Sequence, residues 1–242
     1  MRSGKTLVVI VVLAVIVIGV ATAIVSASLS VTSPSSGARP LTTAEAERLA
    51  AARFLNVEGR GVRFVTSFEV AEGAVELRGV LDFGDDVGTA NARIDGAPEV
   101  IQWDADTVLR WPRTESDAST PTSLPGVEAV SRRLDPSTSA FDLMLSLLSS
   151  LGADRPEDAS VLQQSGARWL RTDVVDGIAV DVVAGPRSGG GAGDAGGTRY
   201  WIDAAGGLLR FEADLASGWV AVRLDAEAFR PVEPSPQLDA DG

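Results

Sequence analysis

Carboxylates dominate the titratable side chains of this sequence. Its 242 residues include 33 Asp and Glu, no cysteine, no histidine and a single lysine, Lys5. Paired carboxylates can run acid–base or glycosidic chemistry when held at a fixed separation, and sugar chemistry also wants an aromatic platform. No carboxylate pair stands out by spacing. Trp103, Trp111, Trp169, Trp201 and Trp219 could supply a platform, yet all five sit in strand-like segments where packing accounts for them. Thiol nucleophiles, disulfides, the usual zinc ligand sets, serine–histidine dyads and histidine bases are excluded by composition. Schiff-base lysines are excluded from everything after Lys5. The sequence is therefore read as that of a non-enzyme without a cofactor or metal.

The remaining motifs weaken on inspection. Asp82, Asp85 and Asp86 could offer oxygen ligands to calcium, but their spacing fits no known cage and Asp is an ordinary turn residue. Gly191-Ala192-Gly193-Asp194-Ala195-Gly196 spells G-x-G-x-x-G. A dinucleotide site needs a helix after that motif, and the next expected element is a strand, so a glycine-rich hairpin loop is expected. Ser3-Gly4-Lys5-Thr6 lacks the first glycine and the strand of a phosphate loop. Asp239-Ala240-Asp241-Gly242 opens like an EF-hand loop but cannot close one.

The elements that must position any site begin with an apolar run, Leu7–Val25, interrupted only by Gly19 and Thr22. At ~1.5 Å per residue it matches the hydrocarbon core of a bilayer. Arg2 and Lys5 precede it and no basic residue follows before Arg39, so the positive-inside rule sends the rest of the chain across. Residues 1–27 are read as a signal anchor, a single transmembrane helix. Cleavage after Ala21-Thr22-Ala23 or Val25-Ser26-Ala27 is the other reading, and would make the protein secreted. Either way the expected location is the cell membrane or beyond, with the domain on the extracytoplasmic side. Residues 28–40, rich in Ser, Thr, Pro and Gly, read as a flexible linker. Removing Arg2 and Lys5 from the 21 basic residues leaves 19 against 33 acids. So acidic a domain is a poor partner for nucleic acid or anionic lipid surfaces.

Apolar residues make up 45% of the chain, enough for one core over residues 41–231. Thr42 and Glu45 form a capping box for a helix to about Leu55. The period then changes to two. Val62, Phe64, Phe68 and Val70 share a strand face, as do Val75, Leu77, Leu81 and Phe83 after an Ala-Glu-Gly turn. Further strands are expected at Gly88–Asp95, Glu99–Trp103 and Thr107–Trp111, and later at Ala167–Val175, Ile178–Val183, Thr198–Asp203, Leu208–Leu215 and Trp219–Leu224. With no helix between neighbours, the sheet is antiparallel. Between the two strand groups, Pro136–Leu151 predicts a helix apolar round most of its circumference, which needs contact on more than one side. Residues 232–242 are expected to be a disordered acidic tail.

This order of elements is similar to that of the lipoprotein-carrier superfamily typified by LolA, and within it the LppX/LprG-type branch. The similarity is carried by Val62-Arg63-Phe64, Gly79-Val80-Leu81-Asp82-Phe83, the Phe141–Leu151 helix, Val174-Val175-Asp176-Gly177-Ile178 and Tyr200-Trp201-Ile202-Asp203. The resemblance implies an α+β fold: a curved antiparallel half-barrel with helices on its concave face. It also implies an apolar cavity there for acyl chains. By alternation and helix position, Phe64, Phe68, Leu77, Leu81, Phe83, Leu143, Leu147 and Leu151 would face that cavity, or else form an ordinary core. The branch's lipoproteins carry a lipid-attachment cysteine. This chain has none, so a transmembrane helix would serve as its anchor. The expected partners are a lipid or other apolar ligand, the membrane and envelope proteins. The alternative is an anchored interaction or sensor module with a filled core.

Overall fold

A computed structural model describes residues 37–71, 73–113, 120–126, 128–186, 197–215 and 218–238. The apolar run Leu7–Val25, most of the linker, the glycine-rich motif at 191–196 and the terminal Asp239–Gly242 lie outside the described residues. Among the described residues no helix is long and apolar enough to cross a membrane.

The chain opens with a two-residue strand, β1 (Arg39–Pro40), and a helix, α1 (Thr43–Glu58). A meander of six strands follows: β2 (Gly61–Val70), β3 (Gly73–Asp82), β4 (Val87–Ile94), β5 (Ala97–Trp103), β6 (Thr107–Pro112) and β7 (Val130–Arg133). Two helices, α2 (Ala140–Ser149) and α3 (Ala159–Gln164), lead to a second meander: β8 (Arg168–Val175), β9 (Ile178–Ala184), β10 (Thr198–Asp203), β11 (Leu208–Leu215) and β12 (Gly218–Asp225). Antiparallel pairing of β12 with β2 joins the meanders into one sheet, in the order β1-β8-β9-β10-β11-β12-β2-β3-β4-β5-β6-β7. The β4–β5 and β8–β9 hairpins both turn on Asp-Gly with positive φ, Asp95-Gly96 and Asp176-Gly177, the pair that a two-residue hairpin turn favours.

The sheet is open, with β1 and β7 at its edges. Laid flat at ~4.8 Å per strand it would span roughly 50 Å, far more than three short helices can cover. Yet one continuous apolar cluster runs from Val183 on β9 through Phe211, Val222, Phe64 and Leu77 to Val108 on β6, and takes in residues of all three helices. The sheet therefore curls around them, as wide twisted sheets tend to.

Three expectations are corrected. The linker ends before Arg39, because Arg39 and Pro40 pair with Trp169 and Arg168. The wide-faced helix begins at Ala140, not Pro136, because Ser139 is its N-cap and takes the Asp142 N–H at 3.2 Å. The tail is not frayed over its described residues, 232–238. Val232, Ser235 and Leu238 are buried, and Leu238 packs on the outer face of the sheet with Val87, Val100, Leu109 and Trp111. The wholly buried Gln102 holds it there: its side-chain oxygen accepts the Ser235 N–H at 2.7 Å, and its amide donates to Thr89 at 2.9 Å. A Pro-rich, acidic composition suggested fraying. The outer-face apolar residues that the segment covers were the missing term.

Candidate hydrophobic ligand site

Helix α2 is the centre of the concave face. Phe141, Met144, Leu145 and Leu148 are buried against the sheet, while Leu143 and Leu147 pack on the same cluster and stay partly exposed. Phe141 stacks on Phe68 at 6.4 Å, and Phe64 meets Trp103 edge-on at 6.2 Å. The strands beneath give way to the bulk of their neighbours: a Cβ on Gly88 would lie 2.1 Å from the Trp103 ring.

Polar groups hold α2 at its ends only. At the N-terminus, Arg132 of β7 donates two hydrogen bonds to Asp142 (2.6 and 2.5 Å), and the Asp135 N–H adds a third (2.8 Å). Burial works to raise the Asp142 pKa. The Arg132 guanidinium and the Asp135 N–H outweigh it and hold the carboxyl below its usual value. At the C-terminus, α1 reaches over: Asn56 donates to the Leu151 carbonyl at 2.8 Å and Arg53 to the Ser150 carbonyl at 2.6 Å. Trp103 Nε1 donates to Ser149 Oγ at 3.0 Å.

All eight residues expected to face an apolar cavity lie on this side of the sheet. Phe64, Phe68, Leu77, Leu81 and Leu151 are buried in the main cluster; Phe83, Leu143 and Leu147 border it and are partly open. A cleft of about 270 Å³ borders this face at the N-terminal end of α2. Its apolar wall is Val70, Ile94 and Phe141, and its polar rim includes Arg110, Arg132 and Arg133. Of the eight, none lines that cleft. Arg110 is held by Glu99 through two bonds of 2.7 and 2.6 Å.

Sequence reasoning missed Val70, Ile94 and Phe141 as neighbours at one mouth, although Val70 and Phe141 lie on apolar faces it identified and Ile94 lies in a strand it expected. It also missed Arg132, because β7 is short and mostly exposed and carries no alternation to reveal it. Asp82 behaves as a turn residue: its Oδ1 accepts the N–H groups of Gly84 (2.9 Å) and Asp85 (3.3 Å). Among the described residues no three acidic side chains gather closely enough to hold a metal ion.

No family model matches the chain, and no curated protein does. Among solved structures, it is similar to the lipoprotein LppX of Mycobacterium tuberculosis, with 14% identity over 79% of this chain and 98% of that one, at a TM-score of 0.44. It is similar to LprF of Mycobacterium bovis, with 17% identity over 83% and 99% of the two chains and a TM-score of 0.43. A LolA superfamily protein from Nitrosomonas europaea aligns with 10% identity over 81% and 96%, at 0.25.

Proposed function

We propose that this protein is anchored to the cell membrane by its N-terminal apolar run and binds a lipid or another apolar ligand on the extracytoplasmic side, between α2 and the concave face of the sheet, for transport or handover at the envelope. The observation that carries this reading is the way α2 is mounted. Its ends are fixed by polar groups from β7 and α1, while its apolar middle rests on the cluster with Leu143 and Leu147 partly open. A cleft of about 270 Å³ lies at one end. That is just under the usual range for a ligand pocket, so a full acyl chain requires α2 to lift from the sheet. Each buried methylene contributes ~0.8 kcal/mol, so roughly ten of them contribute ~8 kcal/mol against the α2 packing and the Arg132–Asp142 pairing that such a movement disturbs. The reading assigns no catalytic step.

A second reading has its own support. Phe64, Leu77, Met144, Leu145 and Leu148 have no exposed surface, so the protein's own side chains fill the middle of the face. On that reading the domain is an anchored interaction or sensor module for envelope proteins.

Organic extraction of the purified full-length protein, followed by mass spectrometry, separates the two. Ligand binding predicts lipid at a fixed ratio in the wild type and its loss from Leu143→Glu/Leu147→Glu, which keeps the same anchor and therefore the same bulk lipid. Equal lipid in both proteins sinks the ligand reading and leaves the module.

A further inference from the structure

The outer face of the sheet carries a second feature, independent of the concave side. Register places Arg210 of β11 directly opposite Arg223 of β12, Arg223 opposite Val65 of β2, and Val65 opposite Arg78 of β3. Like charges set directly opposite on neighbouring strands work against the sheet. The row persists even though the described part of the chain is rich in acids.

These three arginines rim one trough of about 380 Å³, with the shorter Val65, Ser67 and Ala221 in its lining and Glu76 as its one acidic member. Compensation around it is thin. Arg78 is exposed and has no side-chain partner among the described residues. Glu212 is divided between Arg210 and Arg199. Arg223 is paired with Asp176, but the two side chains are 59% and 66% exposed, and a pair so wet contributes little. Arg210 lies over the Trp201 ring at 4.8 Å, and its Nε is enclosed without an acceptor.

We propose that this trough binds a phosphate group. Guanidinium forks match the geometry of phosphate oxygens, and adjacent strands ~4.8 Å apart bring Arg210 and Arg223 to opposite sides of one such group. Arg78 approaches from two strands away, across Val65. Asp176 yields Arg223 to the incoming anion at small cost because its own pair is exposed. The phosphate belongs either to a soluble phosphate ester or to a lipid headgroup; the recognition chemistry is the same.

The test titrates inorganic phosphate into the full-length protein in phosphatidylcholine nanodiscs by calorimetry, at constant ionic strength. Saturable binding is expected, weakened about tenfold or more by Arg78→Gln and by Arg210→Gln. Arg155→Gln, at an exposed site away from the trough, should leave it unchanged. Arg78 has no partner to lose, so its variant keeps the fold, and an unchanged melting temperature verifies that. Repeating the titration in nanodiscs containing phosphatidic acid identifies the source. Competition points to a headgroup and unchanged binding to a soluble ester. The proposal is overturned if binding fails to saturate, or if Arg155→Gln weakens it as much as Arg78→Gln does.

Discussion

Glu45 closes the capping box that Thr42 opens, taking the Thr42 N–H at 2.9 Å, and at the same time receives two hydrogen bonds from Arg39 at 2.8 and 2.7 Å. One carboxylate thus ties the start of α1 to the edge strand β1. The Arg39 hydrogen bonds are the main reason its pKa falls from 4.5 to about 2, with the Thr42 groups adding to the effect against desolvation. A carboxyl depressed on folding stabilises the native state above its unfolded pKa and loses that contribution as the pH falls. Glu45→Gln should therefore cost about 2 kcal/mol near neutrality, and the difference in melting temperature from wild type should shrink between pH ~4.5 and ~2. A gap independent of pH would refute the assignment. The box itself was legible because its members are three residues apart; the role of Arg39 was not, because the linker's composition concealed a strand. Gly88 makes a similar point. Gly88→Ala should destabilise the domain by about 1–3 kcal/mol in urea unfolding, since the added methyl meets the Trp103 ring. Trp103 reaches Gly88 only because β4 and β5 pair in that register.

Helix α2 shows how much of an element the sequence carries. Its breadth of apolar surface was evident from Phe141 to Leu151, and so was the demand for cover on more than one side. Its tether was not. Asp142 is 1% exposed, and its guanidinium partner comes from a four-residue strand on the opposite side of the turn. Arg132→Ala leaves that carboxylate buried and unpaired, which should cost about 3 kcal/mol in chemical denaturation. Hydrogen exchange should accelerate in the first turn of α2 before it does in β2 or β3. Uniform acceleration would mean that α2 is not a separately held unit. The short elements β1, β7 and α3 escaped notice for one reason: two, four and six residues are too few for a periodic pattern to rise above chance.

At the scale of the molecule, the sheet buries apolar surface on both faces, and the two covers differ. Helices fill the concave side, whereas the outer apolar patch around Trp111 is covered by Val232–Leu238 and by residues near Leu124 and Ala129. Ending the chain after Pro231 should uncover that patch, lower stability by roughly 3 kcal/mol for the two lost apolar side chains, and increase binding of an apolar dye. Unchanged stability would show that the segment merely lies on the surface.

Alternation in Val62–Val70 and Val75–Phe83 determined the antiparallel meander and which side chains turn inward, because a strand's period is a property of its own residues. The breadth of α2 was fixed in the same local way, and the composition fixed the lack of thiol and imidazole chemistry. Only the tertiary structure decided that β12 pairs with β2, that the tail crosses the outer face, that Arg132 meets Asp142, and that Arg210, Arg223 and Arg78 share one row. Each of these joins residues far apart in the chain or on separate strands. Such contacts depend on register and curvature, which no single stretch of sequence encodes.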